Sequence, residues 1–324
     1  MMFSRQEVLH VADATGFMPG AVEKVCHLLR LLEVLDSHPF LKGKFALKGG
    51  TALNLFHFRI PRLSVDIDLN YIGAAERDLM LEDRPKVEQA CNAVFSREGF
   101  SVKRVPDEHA GGKWRLGYQS YTGQPGNLEV DLNFMFRLPL FPVMTLDSQD
   151  FGGRQAKGIR ILDIHEIAAG KLAALFARHQ ARDLFDTHLL LGRGELNLPL
   201  LRTAFVVYGA LNRKDWRTIS IKDISFDPNE LDGMLLPLLR PSAMPEGSTA
   251  EFTQKLSGEC SEKLKAVLPF SDKEKVFLNR VLERGDIIPS LLTEDAELQR
   301  RIKEHPMLQW KAMNVRKHFK IDQG

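Results

Sequence analysis

Residues 48–70, KGGTALNLFHFRIPRLSVDIDLN, set a glycine pair ahead of two aspartates that alternate with hydrophobic residues. Across 64–71, Ser64, Asp66, Asp68 and Asn70 fall on one side of an extended chain, and Val65, Ile67, Leu69 and Tyr71 on the other. Such a strand packs its apolar side on a core and leaves two carboxylates together on its open side, where their repulsion is costly unless a cation sits between them. Hard oxygen ligands this close favour Mg2+ or Mn2+. A bare Asp-x-Asp is also what a solvated edge strand carries, so the segment before it matters. Residues 45–47 read as a short buried strand, Lys48-Gly49-Gly50 as a turn, and 51–58 as a helix with Leu53 and Phe56 on an apolar stripe. Glycines let backbone come close to a ligand. N–H groups at the start of that helix, helped by its dipole, make a seat for a phosphate.

A second alternating segment, Leu128-Glu129-Val130-Asp131-Leu132-Asn133-Phe134, puts Glu129, Asp131 and Asn133 on one face. Residues 114–121 alternate too, and a Thr-Gly-Gln-Pro-Gly-Asn loop joins the two runs into a predicted hairpin. Residues 162–178, LDIHEIAAGKLAALFAR, have helical spacing, with Lys171 and Arg178 seven apart and so on one face. An ammonium there could offset the charge of a bound anion. In Ala181-Arg182-Asp183-Leu184-Phe185-Asp186 the two aspartates, three apart on a helix, flank one surface. They either contact substrate or metal, or hold Lys171 and the arginines in position.

Together these residues resemble the AbiEii/AbiGii toxin family, which includes the MenT toxins, within the DNA polymerase β-like nucleotidyltransferase superfamily. Gly49-Gly50 and Asp66-Ile67-Asp68-Leu69 match the superfamily pattern, and Arg62-Leu63-Ser64 leading into the aspartates is similar to this family's longer form. Lys171 stands in a KLAAL context, Arg182-Asp183-Leu184-Phe185-Asp186 resembles an RDLYD element, and His305-Pro306 through Trp310-Lys311 to Asn314 resembles an HPxLxWKxxN tail. The likeness covers roughly residues 45–190 well and the remainder loosely. It implies an α/β (α+β) fold with a mixed sheet, Asp66, Asp68 and Asp131 as metal ligands and catalytic acids, and Gly49, Gly50, Thr51, Ser64 and Lys171 around an NTP. Asp131 fits the family register best, with Glu129 the alternative third acid. Arg62, Arg178, Asp183 and Asp186 are further site candidates. The resemblance implies the toxin of a bacterial toxin–antitoxin or phage-defence pair that adds a nucleotide to a tRNA 3′ end and blocks translation. A protein hydroxyl as acceptor, or an inert antitoxin-binding chain, are the alternatives.

The chain of 324 residues exceeds one average domain. A nucleotidyltransferase core over 1–195, with N-terminal helices, and a mainly helical domain over 196–324 are expected. With 44% hydrophobic and 27% charged residues the chain has material for packed cores. A net charge of +2 argues against a uniformly adhesive nucleic-acid coat and leaves local patches as candidates: Arg59, Arg62, Lys103, Arg104, Lys113 and Arg115, or Lys311, Arg316, Lys317 and Lys320 near the end. Cys26, Cys91 and Cys260 suggest neither a disulfide framework nor zinc, which fits a reducing cytoplasm. MMFSRQEVLH has no apolar leader core, and no run is long enough to cross a bilayer, so a soluble protein is expected.

Rival chemistries lack their residues. Gly153 to Gly158 has P-loop glycine spacing but Ile159 where lysine must stand, no G-x-S-x-G is present, and His165-Glu166 has no second histidine of a zincin. Elsewhere Ser4 to Glu7 reads as a capping box, 22–35 and 75–98 as helices, and 100–105 as a strand. Breaks are expected at 226–229 and 241–248, and helix starts at Ser271 and near Thr293.

Overall fold

The computed structural model describes residues 3–106, 110–225, 230–245 and 247–321. The chain forms two compact units that do not follow a single cut. The first holds Met1–Arg137, Val143–Leu162 and Leu236–Met244; the second holds Leu138–Pro142, Asp163–Leu235 and Pro245–Gly324. The first long uninterrupted stretch of the second unit begins at Asp163. The break expected at 241–248 is where the chain leaves the first unit for the second, whereas the one expected at 226–229 lies outside the described residues.

The first unit opens with α1 (Arg5–Thr15), whose Ser4–Glu7 capping box is present, and α2 (Pro19–Ser37). A seven-stranded sheet follows, built from β1 (Phe45–Lys48), β2 (Asp66–Tyr71), β3 (Ser101–Arg104), β4 (Gly111–Gln119), β5 (Pro125–Asn133), β6 (Met144–Leu146) and β7 (Ile159–Ile161). Its order is β3-β4-β5-β2-β1-β7-β6. β2 lies parallel to β5 and antiparallel to β1, and β4 and β5 form the expected hairpin. This is the mixed sheet that the sequence implied. Strands β6 and β7 were not expected; only three residues long, they are too short for periodicity to register.

Alternation divides the sheet into two faces. Leu47, Ile67, Leu69, Trp114, Val130 and Leu132 are all buried on one. Over that face run α2 and α4 (Arg77–Arg97), the latter fixed where Trp114 Nε1 donates to Asn92 at 2.9 Å and stacks edge-on with Phe95. The opposite face carries the polar residues of β2, β4 and β5. Against it sits α3 (Gly49–Ala52), which continues as a π-helical turn over Leu53–His57 and is pinned by Asn54 Nδ2 donating to the Gly50 carbonyl at 3.0 Å. The expected helix thus begins two residues early, and β2 starts at Asp66, two residues later than the alternation suggests.

The second unit packs α5 (Ile164–Arg178), α6 (Ala181–Gly192) and α7 (Leu198–Ala210) with later helices around Phe176, Phe205, Trp216 and Phe270. Arg202 ties α7 to the capped helix Asp272–Asn279 through a two-point pair with Glu274 at 2.6 and 3.0 Å. The last helix expected from Thr293 is broken by Pro306: Asp295 caps Ala296–Glu304, and buried His305 caps Pro306–Phe319. Among the described residues no helix is long and apolar enough to cross a membrane.

Glu166, in the first turn of α5, is fully enclosed; it accepts hydrogen bonds from Tyr208 Oη and Leu140 N, both at 3.0 Å, and from Phe141 N at 3.4 Å. Burial lifts its carboxyl to about 7 against the pull of those bonds. A group that holds its proton more tightly when folded loses stability as pH rises between its unfolded and folded values, here from 4.5 to about 7. Urea unfolding across that range should show stability falling by up to about 3 kcal/mol, and Glu166→Gln should flatten the slope.

Candidate active site

Pairing of β2 with β5 sets Asp66 opposite Glu129 and Asp68 opposite Asp131. β1 adds Lys48 beside Asp68, and β4 adds Lys113 beside Asp131 and Arg115 beside Glu129. Two rows of charge cross the sheet: Asp66, Glu129 and Arg115 in one, Lys48, Asp68, Asp131 and Lys113 in the other. Neighbouring strands are about 4.8 Å apart, so each carboxylate feels the next.

Lys113 Nζ lies 3.1 Å from Glu129 Oε2. Burial depresses the ammonium, but the hydrogen bond to Glu129 and the charges of Glu129, Asp131 and Asp66 outweigh it and hold its pKa above the ordinary lysine value. Glu129 is thereby engaged by a protein cation. Among the described residues no three His, Cys, Asp or Glu side chains already converge as a metal cage. The donors beside Lys113 are nonetheless all carboxylate oxygens, and its ammonium stands where they attract positive charge. That chemistry fits a hard divalent cation.

The glycine turn closes on these acids. Gly49 has φ +72°, a left-handed conformation, and a Cβ there would stand 2.4 Å from Asp68 Oδ2. Only glycine lets that carboxylate rest on the turn. A Cβ on Gly50 would meet Ser64 Oγ at 2.8 Å and Arg62 Nη2 at 3.0 Å, so residues 62–64 pass directly over it. Thr51 is buried and donates its hydroxyl to the Asp66 carbonyl at 2.5 Å, which pins the helix start to β2. Its side chain is thereby occupied as a donor within the fold. Lys48 at the cap position makes no side-chain cap bond.

Arg62 corrects one expectation. It is 2% exposed and donates to the Leu63 carbonyl at 2.9 Å, so it belongs to the interior beside Gly50 and not to a basic surface. Lys48 was missed, and Lys113 entered only as a basic-patch candidate and not as a neighbour of the acids. The β4 alternation was read from Trp114, one residue past Lys113, and only the hairpin register shows that Lys113 faces the acids.

The remaining candidates form a cluster within the second unit. Lys171 Nζ lies 3.1 Å from Asp183 Oδ1 and 2.8 Å from Asp186 Oδ2, and Arg178 lies 2.9 Å from Asp183 Oδ2. Lys171, Asp183 and Asp186 are all buried. Of the two readings open for the aspartates, holding Lys171 and Arg178 in position is the one these contacts display.

A family model described as a nucleotidyl transferase AbiEii toxin of type IV toxin–antitoxin systems matches residues 30–317. The chain belongs to the AbiEii nucleotidyltransferase toxin family. This AbiEii chain is accordingly a nucleotidyltransferase from the toxin side of a toxin–antitoxin pair, which implies an NTP substrate and an antitoxin partner. Nucleotidyltransferases in general use an NTP with a divalent metal. Its fold is similar to that of MenT4, a nucleotidyltransferase toxin from Mycobacterium tuberculosis H37Rv, with a TM-score of 0.63 and 18% identity over 95% of this chain and 99% of that one. At that identity the likeness is one of fold. No curated protein matches the AbiEii chain.

Gly49→Ala should lower stability by about 1–3 kcal/mol in urea unfolding, because it forces a side chain into a left-handed conformation and against Asp68. Lys171→Met removes the ammonium that buried Asp183 and Asp186 share, Asp183 keeping Arg178, and should cost about 3–5 kcal/mol. Adding Asp186→Asn to that variant should recover part of the loss.

Proposed function

We propose that this toxin transfers a nucleotide from an NTP to the 3′ hydroxyl of an RNA, tRNA being the acceptor, in a reaction that depends on Mg2+ or Mn2+ and blocks translation in the cytoplasm. The observation that carries the reading is the pairing of Asp68 with Asp131 on adjacent strands, with Gly49 against the Asp68 carboxylate. Acids for a cation and a backbone seat for phosphate are then side by side.

Asp66, Asp68 and Asp131 would hold the metal, which supplies positive charge to the phosphoryl oxygens as the bond order changes. The Gly49–Gly50–Thr51 backbone seats the phosphates, with Ser64 above Gly50 on the nucleotide side. The acceptor oxygen attacks the α-phosphorus, the bond from that phosphorus to the bridging oxygen breaks, and pyrophosphate leaves with the electron pair. The acceptor's proton passes to a carboxylate. Asp131 takes that role over Glu129 on the family register, and it pairs directly with Asp68 across the strands. Lys171 keeps the role its motif implies, offsetting charge on the departing pyrophosphate, with Arg178, Asp183 and Asp186 as positioning residues.

Each α-labelled NTP should be incubated with Mg2+, total tRNA and a separate protein pool. The expected result is label in tRNA, with Asp66→Asn and Asp131→Asn reducing it at least about 100-fold and relieving growth arrest on expression. Label in protein alone would assign a protein hydroxyl as acceptor. No label in either pool, with arrest by the Asp66 variant intact, would defeat the enzymatic reading.

A further inference from the structure

We propose that Lys103, Arg104 and Arg115, with Lys113 at their inner border, form the surface that binds the phosphate backbone of the acceptor RNA. This rests on the reading that the acceptor is RNA, and it names which of the two basic groups in the sequence receives it. The sheet face that bears the acids continues outward onto β4 and β3. Arg115 stands opposite Glu129, and Arg104 stands opposite Arg115, so Arg104 lies three strand spacings, about 14 Å, from Asp66 along one row.

A bulge aims the edge strand. Regular alternation would send Lys103 and Arg104 to opposite faces of β3. The register shifts between Val102 and Arg104, so Lys103 is the extra residue and both side chains turn to the acid-bearing face. Two contacts place Lys103 there independently. A Cβ on Gly117 would lie 2.4 Å from Lys103 Cε, and Lys103 Nζ donates to Asn127 Oδ1 at 3.3 Å, Gly117 and Asn127 being cross-strand partners on that face. Gly117 leaves the room in which the lysine stem lies.

Charge then decides the occupant. β3 and β4, SVKR and GGKWRLGYQ, contain no carboxylate, and Lys103, Arg104, Lys113 and Arg115 are all exposed. A polyanion laid across the strands meets exposed cations from both β3 and β4 on one face. The neighbouring Asp66, Asp68 and Asp131 repel the same polyanion, which keeps phosphates on the outer strands and leaves a terminal hydroxyl to approach the acids. A chain of net charge +2 gains its selectivity from this local gradient and not from overall charge.

The test compares the full-length wild type with Lys103→Ala/Arg104→Ala/Arg115→Ala and with a control, Lys317→Ala/Lys320→Ala, from the other basic group. Total tRNA is titrated over a range of salt, and labelling is measured against tRNA and NTP concentration, with circular dichroism and melting to verify folding. The triple variant should bind tRNA 10- to 100-fold more weakly, with the slope of log K against log salt reduced by about two. Its KM for tRNA should rise by a similar factor while kcat and the KM for NTP stay within twofold. The control pair should remain within threefold of wild type. Triple-variant binding within threefold of wild type, or equal weakening by the control pair, overturns the proposal while wild-type labelling of RNA stands. If the wild type neither binds nor labels RNA, the RNA reading itself fails and this surface with it.

Discussion

Parallel pairing of β2 with β5 forces Asp66 against Glu129 and Asp68 against Asp131, and the surroundings are arranged to withstand the repulsion. Two like charges about 5 Å apart at an effective dielectric near 20 repel by about 3 kcal/mol. The opposite face supplies the opposing stabilisation: Ile67, Leu69, Val130 and Leu132 are buried beneath the same strands, each contributing about 1.5–3 kcal/mol. Lys113 supplies the rest from the adjacent strand. One alternation of side chains thus gives both the acid cluster and the anchorage that tolerates it.

The glycine turn is subject to the same geometry. Asp68 can point at the start of α3 only because Gly49 has no side chain, and α3 keeps its place because Thr51 donates to the Asp66 carbonyl. The turn and the acids are therefore joined directly, the Asp68 carboxylate lying against the backbone of Gly49. Residues 62–64 complete it from above, joined in turn to the returning segment where Leu63 N donates to Leu238 O at 2.7 Å. A chain segment more than 170 residues away in sequence so fixes the loop over Gly50.

What could be read in advance follows from what leaves a periodic trace. The alternation at 66–71 and 128–133, the hairpin and the caps at Ser4 and Ser271 are local patterns, and the structure contains them. Three-residue strands at 144–146 and 159–161 leave no such trace, so the neighbour of β1 was invisible. The role of Lys113 depends on register, which is a relation between two strands. Burial of Arg62 depends on a loop closed by residues 236–244, and the caging of Lys171 by Asp183 and Asp186 depends on how α5 meets α6. Residue types suggested these positions, but their charge partners are tertiary facts.

The β4–β5 hairpin illustrates how little separates this site from none. Its loop is closed by Ser120 N to Gln124 O and by Gly123 N to Ser120 O, both at 2.8 Å, which sets the register in which Lys113 meets Asp131 and Arg115 meets Glu129. Side chains alternate with period two, so a slip of β5 by one residue would turn Glu129 and Asp131 into the core and bring Val130 to the polar face. Trp114 and Leu116 on the buried side resist that slip, since β4 could not follow without exposing them. The aromatic core under β4 therefore specifies the charge pattern above it. Selection for a packed apolar face and selection for a working acid cluster act on the same register.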